Sequence, residues 1–108
     1  MFDAHPPEQE VLSSLLKPLL EDFQYWFGRS RTLLEEQTID FLGSEAQAAL
    51  LEKIKQAEQE VRTSELLLNA TDGQAGVETG VLMNWHRLVS ECWQVAIRYR
   101  LESSPQQN

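Results

Sequence analysis

Apolar residues recur at three- and four-residue intervals along most of the chain, and two clusters of turn formers divide that pattern into three helical segments. In the first, Val11, Leu12, Leu15, Leu16, Leu19, Leu20, Phe23, Trp26, Phe27, Leu33 and Leu34 make one wide stripe. It predicts a helix over about residues 8–37, behind a flexible leader of residues 1–7 that ends in Pro6-Pro7. Pro18 interrupts the stripe, because it has no amide hydrogen for the Ser14 carbonyl and its ring crowds the preceding turn. The helix should be kinked or broken there. In the second segment Leu50, Ile54, Ala57, Val61, Ser64 and Leu68 alternate spacings of four and three, the seam of a bundle or coiled coil, on a helix over about 44–69. In the third, Val81, Trp85, Leu88, Cys92, Val95 and Tyr99 repeat that spacing over about 79–101. Val89, Trp93 and Ala96 widen this stripe, and a flexible tail follows over 102–108.

The residues between the stripes agree with this division. Gly43-Ser44 reads as a helix stop followed by an N-cap, with Gln47 three residues on in position for a capping box. Residues 69–76 gather turn formers and two glycines into the only substantial loop. The outer positions of the second helix, from Glu52 to Arg62, read as a solvated face; Glu58 with Arg62, Arg87 with Glu91, and Arg98 with Glu102 stand at the i, i+4 spacing of helix ion pairs. Three helices with short connections predict an all-α, up-down-up three-helix bundle in a single domain. In that topology Phe23, Trp26 and Trp85 should meet near Val61 and the small Ser64.

Composition narrows the partners. Seventeen acidic against nine basic residues give a net charge of −8, which disfavours nucleic acid and anionic membrane surfaces. The imbalance is uneven: residues 1–80 carry fifteen acids and six bases, whereas residues 81–108 carry two acids and three bases. The third helix is therefore the least acidic part. A single cysteine, Cys92, allows no internal disulfide and suits a reducing compartment. The first residues lack the basic and apolar regions of a signal peptide, and no apolar run approaches the roughly 20 residues of a membrane span. The expectation is a soluble, cytoplasmic protein.

Two stretches are candidate contact sites. Residues 23–27 hold four of the nine aromatic residues, and two arginines follow at once. Phe23, Trp26 and Phe27 fall on the apolar stripe and read as core, while Tyr25, Arg29 and Arg31 project from other sides, an exposed tyrosine beside arginines being the composition of a binding hot spot. The second stretch is Val11, Leu12 and Leu15. The first helix, about 45 Å long against about 39 Å for the second, either overhangs its partners there or folds back over the bundle end. An overhang would need cover from another chain, and the heptad seams make self-association a natural source.

Chemistry is poorly signalled. His86 and Ser90 share a helix face, but no nucleophile elbow precedes Ser90, and Cys92 points away from His86, so Cys92 reads as a small core residue. Neither His5 nor His86 has the partners of a metal site, and the loop at Asp72–Gly76 lacks the ligand count of a calcium loop. No catalytic, cofactor or metal residue is assigned.

Residues 20–27, Asn69-Ala70-Thr71-Asp72-Gly73-Gln74, Trp85-His86 and Glu91-Cys92-Trp93-Gln94 together resemble a small cyanobacterial family defined as a domain of unknown function. The resemblance covers nearly the whole chain and implies a cyanobacterial cytoplasmic protein. It implies no activity, cofactor or residue role. The sequence therefore reads as a non-enzymatic helical module that binds a protein partner or itself, as an accessory or regulatory factor. A carrier of a small, flat hydrophobic ligand such as a tetrapyrrole is the alternative, and a minor hydrolase the second.

Overall fold

The computed structural model describes the backbone of residues 5–103 and the side chains of residues 14–103. Three helices follow one another: α1 over His5–Glu36, α2 over Ser44–Ala70 and α3 over Thr79–Ser103. The expected all-α bundle is present, with α1 packed against both other helices. Helix α1 begins three residues ahead of the expected start, because Pro6 and Pro7 fall in its first turn, where a missing amide hydrogen removes no helical bond.

Pro18 does not break α1, which runs through it as one helix. The reason is its placement. Ser14, Lys17 and Pro18 are all exposed, so water can satisfy the carbonyl that Pro18 leaves without a donor, and its ring meets no neighbouring helix.

The core follows the three stripes. Leu20, Phe23, Phe27 and Leu34 of α1 are buried, as are Leu50, Ile54, Ala57, Val61 and Leu68 of α2 and Trp85, Val89, Cys92 and Val95 of α3. Ser64 is half-buried. Phe23 meets Trp85 edge-on at 5.5 Å and stacks on Phe27 at 5.9 Å. Trp26 goes elsewhere than expected: it lies against Trp93 of α3, edge-on at 5.4 Å, because it stands one position round the helix from the buried row.

Helix register is set by polar pairs at the rim. Gln24 Nε2 donates to Glu65 Oε1 at 3.3 Å and Arg31 Nε donates to Glu58 Oε1 at 2.7 Å, which aligns α1 antiparallel to α2 and places Leu19 level with Ala70 at the end of α2. The part of α1 before Leu19, about 20 Å of helix, therefore extends past α2. With the helix unbroken at Pro18 this segment overhangs.

Glu58 departs from the solvated face assigned to it. It is 8% exposed, and one carboxylate oxygen lies 3.8 Å from where a Gly28 side chain would begin. With no side chain at Gly28, α1 can cover the carboxylate, and Arg31 supplies the charge that Arg62 was expected to give. Arg87 likewise donates to Asn84 at 2.9 Å instead of pairing with Glu91, while the Arg98–Glu102 pair forms at 2.8 Å.

The α1–α2 connection is held by Gln47, but not through a capping box. The N-cap position is Gly43, at φ 81° and without a side-chain cap, and Ser44 is already helical. Gln47 turns back across the connection, donating to the Leu34 and Gln37 carbonyls and accepting from the Ile39 amide, each at 2.8 Å. Ile39 is fully buried, so its amide has no water to fall back on. Gln47→Ala is expected to cost about 2 kcal/mol in urea denaturation. Gln47→Glu should cost at least as much, since a carboxylate cannot donate to the two carbonyls.

Helix α2 ends in a Schellman turn. Asp72 is left-handed at φ 57°, the Gly73 amide donates to Leu68 at 2.8 Å and the Asp72 amide donates to Asn69 at 3.2 Å. Thr71 ties the loop down by donating to the Leu67 carbonyl at 2.7 Å and accepting from the Ala75 amide at 2.8 Å.

Candidate functional site

An open groove of about 750 Å³ runs between α1 and α3. Trp26, Leu33, Trp93 and Ile97 line it, with Arg29 and Arg100 at its edges.

Each wall has a sequence origin. On α1, Leu15, Leu19, Asp22, Trp26, Arg29 and Leu33 repeat at four, three, four, three and four, directly beside the row Leu16, Leu20, Phe23, Phe27, Ser30 and Leu34 of the same spacing, in which Leu16 and Ser30 are half-buried and the rest buried. The second row faces the core; the first is left at the groove and along its extension, with Leu15 63% exposed. On α3, Trp93 and Ile97 of the groove stand at i and i+4 and are 42% and 53% exposed, and Leu101 continues the row at i+8 outside the groove lining. That row was legible in the sequence as a second stripe outside the seam, although Trp93 alone was read there, as a widening of the core. Ile97, Arg100 and Leu101 were missed because a stripe on the last helix is assigned inward by default.

The expected site residues part company. Tyr25 is 53% exposed, packs edge-on against Trp26 at 5.0 Å, and accepts a hydrogen bond from Arg29 Nη1 at 2.9 Å. Arg29 also covers the Tyr25 ring at 5.7 Å. Arg31 points to the opposite side, toward α2, where it pairs with Glu58 at 2.7 Å and Glu35 at 3.3 Å. The Glu58 hydrogen bond and charge hold its guanidinium above its ordinary value. It is spent on the fold. Leu15 is exposed, as an overhang requires, and the side chains of Val11 and Leu12 lie outside the described residues.

The groove is cationic in an acidic molecule. Among the described residues neither Arg29 nor Arg100 has a carboxylate partner, whereas Arg31 has two and Lys55 and Arg98 have one each. The far end of the groove is pinned by Tyr99, whose hydroxyl donates to Gln37 Oε1 at 2.9 Å, and by Arg98, which lies 4.1 Å from the Phe41 ring centre.

Residues considered for chemistry are scattered. His86 is exposed, Ser90 is half-buried and Cys92 is buried. No group of three or more metal-ligating side chains occurs among the described residues. Burial pushes the Cys92 thiol up to about 11 despite its hydrogen bond with Ser30, so it stays a neutral core group at physiological pH. A thiol reagent at pH 8 should label native Cys92 at least about a hundredfold more slowly than the urea-unfolded chain. The unfolded chain ionises this thiol near 9 and the folded one near 11, so Cys92 contributes stability in full below pH 9 and loses it as pH rises toward 11.

The model of a family described as "Protein of unknown function (DUF2605)" matches residues 6–101. The chain belongs to that family. The DUF2605 match takes in all of α2, nearly all of α1 and α3, and hence both walls of the groove. Neither a curated protein nor a solved structure matches the chain. No described helix is long and apolar enough to cross a membrane.

Proposed function

We propose that this DUF2605 protein is a non-enzymatic docking module whose α1–α3 groove receives a helix from a protein partner. The observation that carries the reading is the coincidence of an open aromatic groove with two arginines, Arg29 and Arg100, that have no carboxylate partner among the described residues, in a chain of net charge −8. Aromatic side chains with arginine at the edge are the usual composition of a binding hot spot, and an amphipathic helix with acidic flanks is the complementary ligand. The accessory or regulatory role, the cytoplasmic setting and the cyanobacterial origin implied by the resemblance belong to this proposal.

The groove also supports the second reading, a carrier of a flat hydrophobic ligand, since it is large enough for a small molecule and lined by two tryptophans. One experiment separates them. Protein isolated from its native cell is compared with Ile97→Glu, which puts a charge in the groove at a position already 53% exposed and so spares the core. Docking predicts a colourless protein with a retained polypeptide that Ile97→Glu loses. A coloured preparation, or an extractable small molecule lost in the variant, favours the carrier. An unchanged profile in the variant ends both.

A further inference from the structure

We propose that the occupant of the groove is a second copy of this chain, and that two α1 helices pair antiparallel along the row Leu15, Leu19, Asp22, Trp26, Arg29 and Leu33 to complete a four-helix bundle with both α3 helices. This rests on the docking reading and names its partner. The first argument is periodicity. The row repeats at four, three, four, three and four over about 27 Å, the spacing that one helix needs to meet another along its length, yet within the chain it has α3 on one side only.

The second argument is charge. The two polar positions of the row have opposite sign, Asp22 and Arg29, one on each side of Trp26, and neither is in an ion pair among the described residues. Antiparallel pairing centred near Trp26 brings Asp22 of each copy within about a turn of Arg29 of the other. Parallel pairing would set Asp22 against Asp22 and Arg29 against Arg29, and is disfavoured by like charge. The row is thus self-complementary in one orientation.

The third argument is continuity. The exposed apolar residues Leu15 and Leu19 lie on the same row beyond the groove, and Trp93, Ile97 and Leu101 flank it on α3. In the antiparallel arrangement centred near Trp26, Leu15 and Leu19 of each α1 come level with the last turn of the other α1, about residues 33–37, and are covered there instead of facing water.

The test is sedimentation of the full chain at micromolar concentration, with variants at exposed positions that leave the core intact, each checked for unchanged helicity. The chain should sediment at twice 12.4 kDa. Arg29→Asp and Asp22→Arg should each weaken association at least about tenfold, by placing like charges together across the axis. The double variant Asp22→Arg with Arg29→Asp should recover dissociation within about threefold of the parent. A monomer of 12.4 kDa overturns the inference and leaves the docking reading to a different partner. A dimer indifferent to both single charge reversals, or one that the double variant fails to restore, also overturns it.

Discussion

Replacing Trp85 by alanine is expected to remove about 4 kcal/mol of folding free energy, the largest loss from any single position in α3. Trp85 is 2% exposed, meets Phe23 edge-on at 5.5 Å, and donates its indole N–H to Glu60 at 3.0 Å. It therefore joins all three helices from one side chain. Its importance is greater because α3 packs mainly against α1, so that the contact with Glu60 is one of the few ties between α3 and α2. Trp85→Phe keeps the ring against Phe23 and loses the hydrogen bond and some volume, which should cost about 1–2 kcal/mol. Denaturation midpoints of the two variants give the test. If alanine and phenylalanine cost the same, the hydrogen bond dominates and the packing account is wrong.

Arg31→Ala is expected to destabilise the protein by about 2 kcal/mol, and the second change Glu58→Leu to recover most of that loss. Glu58 is covered by α1 and pairs with Arg31 at 2.7 Å. Removing the arginine leaves a buried carboxylate without a partner, whereas removing both leaves an apolar contact between helices. The figure sits below the 3–5 kcal/mol typical of broken buried pairs because the Arg31 side chain is 37% exposed and water screens it in part. A double-mutant cycle by urea denaturation measures the coupling. Near-additive costs for the two changes would mean that the pair does not stabilise the fold and that Arg31 is available for other contacts.

These two positions show how unevenly the molecule can be read from its sequence. Trp85 falls on a regular four–three seam, and its burial follows from periodicity alone. Glu58 falls one step beyond that seam, in a run of charged residues, where periodicity predicts solvent. What covers it is the absence of a side chain at Gly28, on another helix thirty positions away. The same contrast holds at Gln47. Its spacing from Ser44 matches a capping box, yet its amide bridges the α1–α2 connection because the buried Ile39 amide needs a partner there.

The candidate site divides along the same line. The sequence alone determined three helices, the seams of α2 and α3, the surplus of acid, and the concentration of aromatics at residues 23–27. Those features depend on neighbours three or four residues apart, which a helix of 3.6 residues per turn brings together without help from the fold. Only the tertiary structure decided which of two adjacent heptad rows on α1 is covered. It buried Phe23 and Phe27, left Trp26 beside Trp93 at the edge of a groove, turned Arg31 inward to Glu58, and left Arg29 outside. That choice is made by how many helices surround α1: with α2 and α3 on two sides, one amphipathic row is enclosed and the next remains open.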